Sequence, residues 1–200
     1  CIAVSKTKPV DEILRIYNLG HKEFGENKVQ ELIEKYDKLP KDIKWHMIGH
    51  LQTNKIKKVI PIISLIHSVD SLKLLKKINN EAIKINKVIS CLLQINISND
   101  NTKFGFTSDQ IREIFNNEII KDFKFIRIKG LMGMATFTEN KNQIRIEFKN
   151  LKKIFDEMKT KYPELKIISM GMSGDYKIAI QEGSNMIRIG SKIFGKRNYQ

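Results

Sequence analysis

The chain has 200 residues, 41% of them hydrophobic, enough for the buried core of one ordinary domain, and nothing in its length demands two. Its 36 basic and 22 acidic residues leave a formal charge of +14, which suits nucleic acid, an acidic membrane surface or an anionic small molecule without choosing among them. Cys1 and Cys91 form no CxxC and no Cys/His pair at ligand spacing, which argues against a disulfide framework or a structural zinc site, and no apolar run approaches the roughly 18 to 20 residues of a membrane helix.

Short β-branched runs alternate with stretches of helical period along the whole chain. In order, the pattern predicts a strand at 2–5, a helix at 10–19, a strand at 23–24, a helix at 28–38, a strand at 45–48 and a helix at 53–60. A strand at 65–68, a helix at 71–85, a strand at 88–97, a helix at 108–116 and a strand at 126–131 follow. The chain closes with a helix at 142–162, a strand at 167–169, a helix at 175–182 and a strand at 186–189. Asp70 or Ser71 can cap the helix that carries Leu72, Leu74, Leu75 and Ile78, and Gly20 and Gly183 sit just past helices. Pro9, Pro40, Pro61 and Pro163 all fall near element boundaries.

Eight strands with seven visible helices predict a single (β/α)8 TIM-type barrel over residues 1–200, its eighth helix short, displaced or preceding Cys1. An open doubly wound sheet is the alternative, weakened by the lack of a GxGxxG fingerprint after the first strand. Cys1 opens directly into a strand without an initiator Met, so an N-terminal segment is expected to be missing. Lysines such as Lys73, Lys76, Lys77, Lys149, Lys152 and Lys153 stand singly or in pairs between apolar residues, as on solvated helix faces. Few cysteines and no leader-like start point to a reducing, cytoplasmic setting.

A barrel builds its site at the C-terminal ends of its strands, often with phosphate held after the seventh and eighth. Lys6 falls after the first strand, Asn27 after the second, Gly49 to Asn54 after the third, Asp70 after the fourth, Asn96 near the end of the fifth, Met132 to Thr136 after the sixth, Gly171 to Ser173 after the seventh, and Gly190 and Ser191 after the eighth. A lysine at the end of an apolar strand is partly desolvated and offers an amine for Schiff-base formation, although a snorkelling surface lysine has the same signature. Lys8 competes, but adjoins Pro9 where the chain turns into a helix. Gly171, Met172, Ser173 and Gly174 lead into a helix and offer N–H groups and a hydroxyl to a phosphate, and Gly190 and Ser191 repeat the theme. Each alone reads equally well as a capped turn. Arg188 lies within the last strand between Ile187 and Ile189, so alternation turns it into the barrel, where a permanent charge needs a partner.

With those positions read, the chain resembles the pyridoxal phosphate homeostasis protein family, whose fold is similar to the N-terminal barrel of alanine racemase. The likeness runs from Ala3 to Tyr199. It rests on Ala3-Val-Ser-Lys-Thr-Lys-Pro9, Phe24-Gly-Glu-Asn27 with Val29-Gln-Glu31, Trp45-His-Met-Ile-Gly49 and Leu51-Gln-Thr-Asn-Lys55. Further matches are Gln94-Ile-Asn96, Gly130-Leu-Met132, Ser169-Met-Gly-Met-Ser173-Gly-Asp175 and Met186-Ile-Arg-Ile-Gly-Ser191-Lys-Ile-Phe-Gly195. The resemblance implies that Lys6 joins the aldehyde of pyridoxal 5′-phosphate, that Ser173, Gly190 and Ser191 hold its phosphate, that Arg188 faces the pyridine nitrogen and that Asn27 lies near the ring.

It also implies a binding protein that stores, buffers or delivers the cofactor, with apo pyridoxal phosphate enzymes as recipients. Carbanion chemistry needs a protonated pyridine ring as electron sink, commonly supported by a carboxylate. Arginine only donates, so it keeps the ring unprotonated and the sink shallow. A weak amino-acid racemase is the alternative, but racemases of related fold bring a second acid/base from another domain and subunit, for which 200 residues leave no room. Nucleic-acid binding is disfavoured by the lack of a clustered basic run or aromatic platform. A self-contained barrel is expected to be monomeric and free of the membrane.

Overall fold

The structure is a computed structural model and describes residues 1–98 and 104–195. Tyr199, the far limit of the resemblance, lies outside the described residues. The elements in chain order are β1 (Ile2–Val4), α1 (Val10–Asn18), β2 (Glu23–Glu26), α2 (Val29–Lys38), β3 (Lys44–Met47), α3 (Ile56–Val59), β4 (Ile63–Val69) and α4 (Leu72–Lys84). They continue with β5 (Ile89–Ile95), α5 (Ser108–Asn116), β6 (Ile126–Gly133), α6 (Lys141–Lys161), β7 (Ile167–Ser169), α7 (Tyr176–Gln181), β8 (Arg188–Ile189) and α8 (Ser191–Phe194).

The eight strands form one sheet in the order β7-β6-β5-β4-β3-β2-β1-β8, and all its ladders are parallel. An isolated parallel bridge from Ser169 to Met186 joins its two ends, so the sheet curls into a nearly closed barrel. The missing eighth helix is α8, one short turn directly after β8. Other predicted bounds shift too, and the strand expected at 186–189 keeps only Arg188–Ile189. The helix expected at 53–60 begins as a 3-10 turn at Thr53–Lys55 before α3, and β2 extends beyond Phe24 to Glu26 because Glu26, though charged, is fully buried among partners.

Local rules account for the helices. Ser71, not Asp70, caps α4 by accepting a hydrogen bond from the Leu74 N–H at 3.3 Å. Thr107 and Gln110 close a reciprocal capping box at the start of α5. In α4, Leu74, Leu75, Ile78 and Ala82 are buried while Lys73, Lys76 and Lys77 are exposed, a helical stripe whose larger side chains each contribute about 1.5–3 kcal/mol on burial. Such stripes pack against the outer face of the strands and form the main core, from Phe24 and Trp45 round to Phe148 and Leu151. A smaller cluster of Leu65, Leu92 and Met132, with Ile167 and Met186 against it, fills part of the barrel interior. Among the described residues no helix is long and apolar enough to cross a membrane.

Candidate functional site

Because every strand runs the same way, the C-terminal ends converge on one mouth, and a cavity of about 410 Å³ opens there. It is lined by Lys6 from the loop after β1, Asn27 just beyond β2, Ser173 from the loop after β7, Arg188 from β8, and Gly190 and Ser191 at the start of α8. All six residues that the resemblance assigns to a cofactor therefore meet around one space, and of the other positions placed at the strand ends Met134 and Met172 border it while Gly49 to Asn54, Asp70 and Asn96 do not. Lys8 also borders it, but its Nζ donates to the Phe194 carbonyl at 2.8 Å and pairs with Glu12 at 3.3 Å, so its amine is committed to a structural contact.

The loop that carries Lys6 is clamped from below. Ser5 and Glu26 are fully buried, and Ser5 Oγ donates to Glu26 Oε1 at 2.5 Å. Lys35, 5% exposed on α2, reaches the same place and donates to the Ser5 carbonyl at 2.7 Å, Glu26 Oε1 at 2.8 Å and Glu31 Oε1 at 2.6 Å. Glu31 Oε1 also accepts the Thr7 N–H at 2.6 Å. Thr7 has φ +64°, a left-handed conformation unusual for a β-branched residue, and this hydrogen bond helps to hold it. Lys6 is thus fixed between two anchored neighbours. Burial raises the Glu26 carboxyl above its ordinary range, with the Lys35 charge opposing.

On the opposite side, Gly171 has φ +98°, and a Cβ there would lie 2.5 Å from the Ala179 methyl. Only glycine allows the chain to turn this tightly under α7. Met172 N–H donates to Asp175 Oδ1 at 2.6 Å, and Gly190 N–H donates to Ser173 Oγ at 3.2 Å, which staples the two phosphate-like loops together. The Gly190 N–H is thereby engaged, while the Ser173 hydroxyl keeps its own proton to give. A Cβ on Gly190 would come no nearer than 3.4 Å to protein, and one on Gly174 would meet nothing within 4 Å. Both glycines line the cavity, so a side chain there would occupy ligand space. The helix after this loop, α7, has only six residues, so local N–H and hydroxyl groups matter here more than a helix dipole.

Arg188 is 4% exposed and points into the barrel, as strand alternation requires. Its Nη1 donates to Ser169 Oγ at 2.6 Å and its Nη2 to the Gly133 carbonyl at 3.1 Å. Burial lowers its pKa to about 10, with the Asp175 charge opposing, so it stays a cation at neutral pH. The outer rim is apolar: Met134 and Met172 are partly exposed and Phe137 wholly so. Met134 and Met172 lie in segments that the sequence placed at the mouth, whereas Phe137 and the Glu26, Lys35 and Glu31 clamp were not evident in it as part of the site. Glu26 and Glu31 lay inside quoted segments, but nothing linear links them to Lys35 and Ser5.

The model for the alanine racemase N-terminal domain matches residues 1–198, which places the chain among barrels of that class. Two curated relatives are each called pyridoxal phosphate homeostasis protein. The one from Aquifex aeolicus is 38% identical over 99% of this chain and 87% of its own length. The one from Schizosaccharomyces pombe is 33% identical over 98% and 83%. The chain belongs to the pyridoxal phosphate homeostasis protein family. Among solved structures, PipY of Synechococcus elongatus PCC7942 without PLP aligns with a TM-score of 0.90 at 33% identity, over 97% of this chain and 91% of that one. The same protein with PLP bound gives 0.87 at 32% identity over the same shares. Alanine racemase of Clostridium difficile 630 aligns over the whole of this chain but 53% of its own, at a TM-score of 0.75 and 16% identity, a likeness of fold alone.

Proposed function

We propose that the chain holds pyridoxal 5′-phosphate reversibly at the barrel mouth and serves vitamin B6 homeostasis by storing, buffering or delivering it, without substantial turnover. The observation that carries this reading is the convergence of Lys6, Asn27, Ser173, Arg188, Gly190 and Ser191 on one cavity. Bound there, the cofactor would supply an aldehyde that condenses reversibly with an amine and a pyridine ring able to take up electrons. The residues suit it: Lys6 offers the amine from a clamped loop, and Ser173 and Ser191 offer hydroxyls beside two glycines that leave room for a phosphate. Asn27 borders the same space, against the ring.

Arg188 would meet the ring nitrogen as a donor and leave it unprotonated, which would disfavour the electron sink that transamination or decarboxylation needs. The carboxylate on the cavity wall, Asp175, accepts a loop N–H and sits on the phosphate side. The names of the curated relatives and the PipY structure with PLP bound support the same reading. All six residues come from one chain, which supports the monomer we assign. Both cysteines are free, in keeping with a cytoplasmic setting, and apo pyridoxal phosphate enzymes are the recipients we assign.

Titration with pyridoxal phosphate should give a near-visible absorption band, and reductive trapping followed by mass spectrometry should place the label on Lys6. A wild type that ignores the cofactor, or a Lys6→Ala variant that keeps the band, sinks the reading. Steady exchange of the alanine Cα proton in deuterated water would favour a racemase instead. Loss of the band on adding an apo enzyme, with gain of that enzyme's activity, establishes delivery.

A further inference from the structure

Among the described residues no carboxylate forms an ion pair with the Arg188 guanidinium. In its place a row of side chains crosses the barrel interior. Arg188 Nη1 donates to Ser169 Oγ at 2.6 Å, Ser169 Oγ lies 3.2 Å from His67 Nδ1, His67 Nε2 lies 2.9 Å from His46 Nδ1, and His46 Nε2 lies 2.6 Å from Glu23 Oε2. Ser169 and His67 are fully buried and His46 is 3% exposed, while Glu23 reaches the far end of the barrel, where it also pairs with Lys44 at 3.0 Å. The row joins β8, β7, β4, β3 and β2.

Its two ends decide the direction of every bond. Arginine has donors only, and an ionised carboxylate accepts only. His46 and Lys44 hold the Glu23 carboxyl down at about 2, so it is ionised at neutral pH. With both imidazoles neutral, one arrangement satisfies all five groups. Ser169 takes a proton from Arg188 and gives its own to His67 Nδ1, His67 donates from Nε2 to His46 Nδ1, and His46 donates from Nε2 to Glu23. Each group then turns its negative end towards Arg188, so the guanidinium is steadied by neutral dipoles and its charge is not cancelled at the cavity wall. Asp175, the acidic group acting on Arg188 from the mouth, accepts the Met172 N–H and makes no hydrogen bond to the guanidinium.

We propose that Ser169, His67, His46 and Glu23 are positioning residues for Arg188, a directed hydrogen-bond chain that aims the guanidinium at the cofactor ring while leaving its positive charge available there. This rests on the reading that Arg188 faces the ring. Of the five residues in the row only Arg188 lines the cavity, so the other four act through it.

Two independent measurements test the proposal. Imidazole nitrogen NMR on the cofactor-free protein at pH 8 should find the proton of His67 and of His46 on Nε2, and an Nδ1–H form at His67 overturns the chain. Ser169→Ala and His67→Leu should weaken pyridoxal phosphate binding by about tenfold, the scale of one hydrogen bond to a charged group, and move the visible band. His67→Gln, whose amide offers one acceptor and one donor, should recover most of that loss. Unchanged binding and spectrum in Ser169→Ala and His67→Leu overturn the positioning role. If Arg188→Ala leaves the spectrum of the bound cofactor unaltered while the tautomers are as stated, the placement of Arg188 against the ring fails and the chain itself stands.

Discussion

Two glycines at the mouth work in opposite ways. Gly171 is required by the protein: at φ +98° and with a neighbouring methyl 2.5 Å from its would-be Cβ, an alanine is both strained and crowded. At Gly190 an alanine meets protein only at 3.4 Å, an ordinary contact, and its φ of −110° lies outside the left-handed region, so on the proposed reading it is the cofactor that requires the glycine. Gly171→Ala should therefore cost about 2–3 kcal/mol of stability in urea unfolding, from strain plus overpacking. Gly190→Ala should keep the urea midpoint while weakening pyridoxal phosphate binding by roughly tenfold or more, because a methyl takes cofactor space. If Gly190→Ala instead unfolds the protein and leaves binding intact, the cradle is misplaced. Both residues were visible in the sequence as turn glycines; their different duties were not, because φ and neighbouring atoms are tertiary facts.

Among the elements, β1, β2 and α2 act as a unit, since Lys35 on α2 ties the end of β1 to Glu26 on β2 through contacts of 2.6 to 2.8 Å. Removing one partner of a buried pair strands the other, so Lys35→Ala should cost about 3–5 kcal/mol, read as a shift in the denaturation midpoint. Glu31→Gln keeps the Thr7 contact's acceptor and should cost much less. A Lys35→Ala variant as stable as wild type would mean the clamp is incidental. The strands and helices themselves were legible, because period-2 and period-3.6 patterns are local. The clamp was not, since its members lie on three elements that only packing brings together. Buried polar residues in strands, such as His46 beside Trp45 and His67 beside Ile66, carried a faint signal: a polar side chain in a strand that is otherwise apolar. Arg188 was read correctly from that same signal because its charge made the cost of burial plain.

At the scale of the molecule, the polar interior makes stability depend on pH. Burial, aided by the nearby Arg188 cation, holds His67 well below its ordinary value, so the folded chain keeps it neutral. Below pH about 6.5 the unfolded chain binds a proton that the folded chain refuses, and stability falls with falling pH by up to about 1.4 kcal/mol per unit. Glu23, with its pKa near 2, contributes stability that is complete above its unfolded value and disappears only as pH falls towards 2. Glu26, raised by burial, works the other way: its contribution is lost as pH rises through its folded value. The telling quantity is accordingly the difference between wild type and His67→Gln in urea unfolding from pH 7.5 to 5.5, where the variant should show the shallower slope. Equal slopes would remove His67 from the account. The same barrel is joined thinly. The strand β8 has two residues, and its seam with β7 is one bridge from Ser169 to Met186, helped by the Asn185 and Met186 N–H groups on the Ile168 carbonyl, the Met170 N–H on the Met186 carbonyl and the Arg188 N–H on the Gly171 carbonyl. The cavity straddles that seam, with Ser173 on one lip and Arg188, Gly190 and Ser191 on the other. A molecule seated there is a clasp across the weakest join of the cylinder, so the grip on the cargo and the closure of the wall are one equilibrium, and what loosens either loosens both.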